Sequence, residues 1–257
     1  MGRRIVITSG KGGVGKTTVA FLLGRELARG GARVLLIDAD TGLNNLDVLA
    51  GVEEKITFDV LDVIDGKCRA RQAIVPCAEG GLFLLPSVRF GGNLKNQSVR
   101  AITESLADSF DFILLDSPAG LGAGFERAVS GACEGIVVTT PQLPALRDAD
   151  KVLGILREFG LLEPMLVVNR VRGDLIARSA SLDVNEITGL LSARILGVLP
   201  EDDRIAALCE SGESMTEIPS AKLLAENLEF GREQVFDCTE RYRGLFGGIR
   251  RYLKGIV

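Results

Sequence analysis

Seven short apolar runs recur along the chain, and they constrain its fold more than any other feature. They are continuous rather than alternating and rich in Val, Ile and Leu, which is typical of strands covered on both faces. They occupy residues 3–9, 33–38, 82–86, 112–118, 135–141, 165–171 and 195–200. Amphipathic stretches long enough for helices lie at 17–30, 98–109, 145–159 and 221–235. This alternation predicts an α/β fold with a doubly wound, mostly parallel sheet flanked by helices.

The composition excludes several kinds of site. The 257 residues include no His, which removes His-based triads, His metal sites and a His general base. The five cysteines are scattered and form no CxxC pair, so we expect neither a disulfide framework, nor a zinc site, nor the cluster of a nitrogenase-iron-protein-like reductase. The apolar runs are strand-length, so no membrane-spanning helix is expected, and the first residues do not resemble a cleavable signal peptide. The scattered cysteines favour a reducing cytoplasm.

A glycine-rich loop, SGKGGVGKTT, separates the first predicted strand from the first predicted helix. Its spacing matches G-x-x-x-x-G-K-[ST], in which backbone N–H groups and the helix N-terminus bind phosphate. We expect Lys16 to reach the β- and γ-phosphates and the Thr17 hydroxyl to take a Mg²⁺ position. The predicted nucleotide-binding residues of the loop are Gly10, Lys11, Gly12, Gly13, Val14, Gly15, Lys16, Thr17 and Thr18.

Aspartates follow two of the apolar runs. Asp38 and Asp40 lie at the end of one run, and Asp116 at the end of another. Ligands of open α/β sheets bind at the carboxyl ends of strands, and ATP hydrolysis needs a held Mg²⁺ and an oriented water. The three aspartates therefore predict the hydrolytic side of the site, although each could instead be a helix N-cap.

Two further strand ends carry residues suited to a nucleotide base. Asn169 and Arg170 follow one run, and Pro200 and Asp202 follow the next. Asn can pair with the N6/N7 edge of adenine, although turns also favour Asn. A guanine-specific NKxD-type motif is not evident, so these residues favour ATP over GTP.

The C-terminus has the opposite charge from the rest of the chain. Residues 241–257 hold five basic and no acidic residues, so the remaining chain has a net charge of −9 within an overall −4. At helical spacing the tail separates a basic side from an apolar one. This predicts an ATPase domain over 1–236 and a linker with an amphipathic helix over 237–257 that binds an anionic membrane surface. A helix packed on the domain is the alternative. The predicted membrane-binding residues are Leu245, Phe246, Ile249, Tyr252, Leu253 and Ile256.

The loop KGGVGKTT resembles the deviant Walker A motif of the MinD/ParA ATPase family. The resemblance covers essentially the full length, through the motifs LLIDADTGLNNLD, LLDSPAG, LRDAD, VVNRVRGD and GVLPEDD. It implies a P-loop NTPase of the SIMIBI type that hydrolyses ATP with Mg²⁺ as a homodimer. It further implies that Lys11 reaches the partner's ATP and that Asp40 positions or activates water, so that Lys11, Lys16 and Asp40 are catalytic.

The same resemblance assigns the remaining site residues. It implies that Thr17, Asp38 and Asp116 serve the magnesium ion, and that Asn169 and Arg170, with Pro200 and Asp202, contact adenine. The helix over 146–156 resembles a shared partner-binding surface, which implies partner contacts at Arg147, Asp148 and Asp150, although a solvated helix face explains them equally well.

Within this family the motifs resemble the MinD branch, which places the division site. That likeness implies recruitment of a MinC-like septum inhibitor, release by MinE or another topological factor, and a peripheral location on the cytoplasmic face of the membrane. Asn44 stands where Arg is commoner, which leaves a flagellar-number regulator of the FlhG kind open. A ParA-type partition ATPase would need a basic DNA-binding face, and the acidic body argues against it and against a specific nucleic-acid partner.

Overall fold

The computed structural model of the chain describes residues 1–40, 45–87, 96–211 and 217–243. Within these ranges eight strands form one sheet in the order β3-β4-β2-β5-β1-β6-β7-β8. Every neighbouring pair is parallel except β3 and β4. The strands are β1 Arg3–Thr8, β2 Val34–Asp38, β3 Val75–Pro76, β4 Leu82–Leu85, β5 Phe112–Asp116, β6 Glu134–Thr139, β7 Met165–Val171 and β8 Arg194–Pro200.

All seven predicted strands are present, and the predicted doubly wound, mostly parallel sheet is confirmed. Only β3 was missed. It spans two residues, and Pro76 lies exposed at the outer edge of the sheet beside β4. Two residues are too few to show a periodicity, and proline is depleted in strands, so the pattern carried no signal there.

Most helices lie in the connections between the strands, and the last two follow β8. They are α1 Lys16–Arg29, α2 Asn45–Ala50, α3 Val60–Ile64, α4 Ala70–Ala73, α5 Asn96–Leu106, α6 Ala123–Ser130, α7 Leu143–Glu158, α8 Gly173–Ile176, α9 Val184–Leu191, α10 Asp203–Ser211 and α11 Pro219–Phe230. The four predicted helices correspond to α1, α5, α7 and α11. The prediction ran α11 on to residue 235, but Gly231 adopts a left-handed φ of 66° and ends the helix.

Side chains alternate between the two faces of the sheet and build separate cores. One face, with Ile5 and Leu36, packs against α1 and α11. The other face carries two clusters, one around Val6 with α6, α7 and α9, and one around Leu35 with α3 and α5. Both faces are covered by helices, which is why the strands read as continuous apolar runs.

The described chain continues past α11 as an irregular segment. A 3₁₀ turn, Glu240–Tyr242, lies against α8. Of the predicted linker and amphipathic helix over 237–257, only residues 237–243 belong to the described ranges. Leu245, Phe246, Ile249, Tyr252, Leu253 and Ile256 all lie outside the described residues. Within the described part of the chain, no helix combines the length and apolar content needed to cross a bilayer.

Candidate nucleotide-binding site

The glycine-rich loop connects the end of β1 to the start of α1. Gly13 and Gly15 have left-handed φ values of 79° and 86°, which side chains with a Cβ rarely adopt. Gly15 is the N-cap of α1 and offers no side chain to the first turn. The first N–H groups of a helix have no partner within the helix, so the start of α1 is suited to an anion in the loop.

Helix α7 packs directly against the beginning of the loop. A Cβ at Gly10 would lie 2.6 Å from the main-chain oxygen of Asp148 and 2.7 Å from its Cβ. Only glycine therefore allows this approach. The contact puts the helix that carries the predicted partner surface against the loop, which the sequence pattern did not indicate.

Lys16 forms a buried ion pair behind the loop. Its Nζ lies 2.6 Å from Oδ1 of Asp116, and both side chains are less than a tenth exposed. The Thr17 hydroxyl also hydrogen-bonds to Asp116. The loop motif predicted Lys16 and Thr17, and the end of an apolar run predicted Asp116; the fold brings these three residues into contact.

Asp38 lies beside Asp116, because the two residues are in register on the neighbouring strands β2 and β5. Asp38 accepts a hydrogen bond of 2.9 Å from the main-chain N–H of Asp40, which holds the turn after β2. Asp40 itself is half-buried, and the Ser87 hydroxyl donates to its carbonyl oxygen at 3.1 Å. The predicted carboxylates therefore form one cluster at the carboxyl edge of the sheet.

This cluster holds more negative charge than its surroundings neutralise. Burial, followed by the charge of Asp116, raises the pKa of Asp38 to about 7. Burial also raises the pKa of Asp116, while Lys16 opposes that shift. A divalent cation would relieve the repulsion between the two carboxylates.

The donor set fits magnesium bound together with phosphate. Among the described residues, no three His, Cys, Asp or Glu side chains come together as a metal site. Mg²⁺ in nucleotide sites usually takes one or two protein oxygens, waters and phosphate oxygens. The Thr17 hydroxyl and the adjacent carboxylates of Asp38 and Asp116 match that arrangement.

A cavity on the other side of the loop brings together the predicted base-binding residues. Its lining includes Gly15, Asn169, Arg170, Pro200 and Asp202. Thr18 of the loop also lines it, as do Glu201, Asp203, Ile205 and Ala206. Residues from β1–α1, β7 and β8 thus share one wall, as expected where parallel strands end.

Two side chains in this region have partners that the sequence did not reveal. Asn169 donates from Nδ2 to the carbonyl oxygen of Val14 at 2.8 Å, so it clamps the loop. Asp202 accepts a hydrogen bond from Nη2 of Arg204 at 2.6 Å. An Asp followed two residues later by Arg is too common a pattern to predict that pair.

The surroundings of Lys11 differ from those of Lys16. It is exposed and lines a second cavity with Thr140, Gln142 and Arg170. Thr140 and Gln142 were not predicted. Both follow the end of β6, and that position at the carboxyl edge is the signal that could have identified them.

The predicted partner residues lie on α7. Arg147 and Asp150 are exposed and Asp148 is half-buried, while Leu146, Ala149 and Val152 face the core. This is the two-sided pattern of a surface helix. A partner role for the exposed side stays a prediction.

Comparisons with known proteins agree with this geometry. Residues 5–215 match the family described as the CobQ/CobB/MinD/ParA nucleotide binding domain. The septum site-determining protein MinD of Bacillus subtilis is 42% identical over 224 residues, which cover 85% of this chain and 84% of that protein. The MinD of Synechocystis is 39% identical over 267 aligned residues, covering 99% of this chain and 100% of that protein.

Solved structures give the same result. The MinD of a MinC:MinD cell division complex from Aquifex aeolicus superposes with a TM-score of 0.83 at 37% identity, covering 90% of this chain and 97% of that one. MinD from Pyrococcus horikoshii, solved with Mg-ADP, superposes with a TM-score of 0.77 at 29% identity, covering 89% and 96%. This chain therefore belongs to the CobQ/CobB/MinD/ParA nucleotide-binding family and, within it, to the MinD group.

Proposed function

We propose that the chain is a septum-site ATPase of the MinD type, a switch that dimerises with ATP, binds the membrane as a dimer and releases it after hydrolysis. The observation that carries the proposal is the buried Lys16–Asp116 pair beside Asp38, directly behind a phosphate-binding loop. A scaffold without nucleotide would have little use for two buried carboxylates at one strand edge.

ATP with Mg²⁺ is the ligand that the site fits. The first turn of α1 and the loop N–H groups take the phosphates, and the phosphates compete with Asp116 for Lys16. The Thr17 hydroxyl, with Asp38 and Asp116 behind it, holds the metal, which neutralises phosphate charge during transfer. Support comes from the relative of Pyrococcus horikoshii, which was solved with Mg-ADP.

Asp40 orients the attacking water. Its backbone is fixed by Asp38 on one side and Ser87 on the other, while its side chain stays half-buried at the mouth of the cluster. Asn169 and Arg170, with Pro200 and Asp202, receive adenine in the adjoining cavity. These roles divide the site into a hydrolytic side and a base side that share the loop.

Lys11 acts between two subunits. It is exposed rather than tucked behind the loop, as a residue that reaches a partner's phosphates must be. ATP then belongs to the interface of a homodimer, and each dimer presents two C-terminal tails to an anionic membrane surface. Two weak tails acting together bind far more tightly than one.

Helix α7 receives the protein partners. The exposed Arg147 and Asp150 offer both charges on one face, and a relative was solved in a MinC:MinD complex. We therefore propose a MinC-like inhibitor as a partner, with MinE or another topological factor acting on the same dimer. The resulting location is peripheral, on the cytoplasmic face of the membrane.

The deciding experiment is co-sedimentation with anionic vesicles in ATP and in ADP, with phosphate release measured in the same samples. Leu253→Gln adds an uncharged polar group on the predicted apolar side of the tail, and Gly255→Gln adds the same group on the predicted basic side. We expect pelleting of the wild type and Gly255→Gln in ATP only, and loss of pelleting for Leu253→Gln.

Other outcomes identify other functions. Equal pelleting in ATP and ADP would contradict the switch, and no phosphate release would contradict the ATPase. ATP-dependent binding to DNA instead of vesicles would favour a ParA-type role. The MinD relatives at about two-fifths identity favour septum placement over the flagellar alternative, which an interaction screen against flagellar and division proteins would test.

A further inference from the structure

The segment that leads from the domain towards the C-terminal tail is held on the domain. We call residues 234–243 the strap. Its first residue is clamped by Asn227, a buried side chain on α11. Nδ2 of Asn227 donates to the Gln234 carbonyl oxygen at 2.7 Å, and its Oδ1 accepts from the Gln234 N–H at 3.2 Å. Further along, Arg243 pairs with Asp237 at 3.1 Å, which closes the strap on itself.

The strap then crosses the beginning of α8 at very close range. A Cβ at Gly173 would overlap the carbonyl oxygen of Cys238 and would lie 3.2 Å from the ring of Tyr242. The thiol of Cys238 packs against the core cluster around Val6, and burial raises its pKa to about 12. The strap is thus seated on the domain through both backbone and side chains.

The residue before Gly173 connects the strap to the base side. Arg172 makes a bidentate ion pair with the buried Asp174, with hydrogen bonds of 2.8 and 2.7 Å, and a second ion pair with Glu201 at 3.5 Å. The bond to Asp174 raises the pKa of Arg172, and Tyr242 of the strap adds a smaller contribution in the same direction. Arg172 therefore links the strap, α8 and the loop that follows β8.

That loop, together with the last residue of β8 and the first residue of α10, forms the segment 200–203, which separates two cavities. One side lines the base cavity, together with Asn169 and Arg170. The other side lines a cavity whose opposite wall is the strap, including Phe236, Cys238 and Arg241. Arg241 lies close enough to lower the pKa of Asp202, after the larger effect of Arg204.

We propose that the strap is a positioning element for the base pocket: seated against residues 200–203, it holds that loop in the shape that accepts the nucleotide base. The inference rests on the proposed function, because it takes the base cavity as the site of ATP. By linkage, base binding in turn stabilises the seated strap. The strap residues position the wall and do not themselves contact the nucleotide.

The test uses full-length protein without lipid. Gly173→Ala displaces the strap through its added methyl group, and Tyr242→Ala removes the ring that rests on α8. Gly189→Ala is the matched control, because a Cβ there meets nothing within 4 Å. Affinity is measured by titration with a fluorescent ATP analogue and, separately, by calorimetry with Mg-tripolyphosphate, which has phosphates but no base.

We expect both strap variants to bind the ATP analogue about tenfold more weakly, which corresponds to about 1.4 kcal/mol, with tripolyphosphate affinity unchanged. We also expect ATP, but not tripolyphosphate, to slow alkylation of Cys238 in the wild type, since a seated strap keeps that thiol half-buried against the core. Wild-type affinity for ATP in both strap variants would overturn the inference. An equal loss for tripolyphosphate would also overturn it, because the effect would then not belong to the base side. Failure of the wild type to bind ATP at all would instead refute the proposed function, and the inference with it.

Discussion

Asp38 gives the sharpest prediction, because its pKa of about 7 sets a large pH dependence of stability. The folded-state pKa is raised from 3.8, so the protonated carboxyl favours folding. That contribution is fully present below pH 3.8 and is lost as the pH rises through about 7. A shift of about three units at about 1.4 kcal/mol each amounts to about 4 kcal/mol. The free energy of unfolding is commonly about 5–15 kcal/mol, so the effect is large.

The perturbation is Asp38→Asn, which keeps the shape of the side chain and removes its charge. In EDTA at pH 8 we expect the variant to exceed the wild type in free energy of unfolding by up to about 4 kcal/mol, and near pH 4 to differ little. Urea unfolding followed by circular dichroism suits a chain without Trp. Asp108→Asn makes the same charge change at an exposed position and should show no such trend.

The prediction is refuted if the free energies of unfolding of the two proteins, plotted against pH, run parallel. If the wild type and Asp38→Asn lose stability equally between pH 4 and 8, Asp38 does not carry the unfavourable charge. Adding Mg²⁺ and ATP at pH 8 should reduce the difference between the two proteins, because the cation offsets the repulsion from Asp116. This second measurement separates a charge effect from a packing effect of the amide.

Three further changes test other parts of the structure. Lys16→Met leaves Asp116 buried without its cation. We expect this variant to lose ATP binding and to unfold with about 3 kcal/mol less free energy at pH 8. An unchanged melting temperature would contradict a stabilising ion pair. Gly15→Ala should cost about 1–2 kcal/mol, because its φ is left-handed and its Cβ would strike Asn169, whereas Gly12→Ala should leave stability unchanged; equal melting temperatures would refute this. Phe125→Ala should cost about 3–5 kcal/mol in urea unfolding, since the ring is 1% exposed, and a loss near zero would show that the core there collapses around the cavity.

The sequence predicts the sheet well because its strands are buried on both faces. In β5 every residue is buried, and the four residues before Asp116 form a continuous apolar run, as expected of a strand covered on both faces. Helix ends depend on single backbone conformations, and Gly231 ended α11 earlier than the apolar pattern suggested. The two-residue β3 lies below the length at which any pattern exists.

In the candidate site, too, local features could be predicted from the sequence and long-range contacts could not. The backbone turn between β1 and α1 could be predicted, because it depends on local glycines and on the helix that follows. The contacts of the loop with distant residues could not. Asp148 against Gly10 and Asn169 on Val14 join residues more than a hundred positions apart, and their proximity depends on how helices and strands pack. The seat of the strap on α8 belongs to the same class.

The short outer strand β3 has a consequence for how the protein can associate. An exposed strand edge offers unpaired N–H and C=O groups to any neighbouring chain and so invites fibre-like stacking. Here β4 is covered by β3, and β3 offers Pro76, which has no N–H to donate, over a length of only two residues. Many copies crowded on one surface would therefore find little to extend at this side of the sheet.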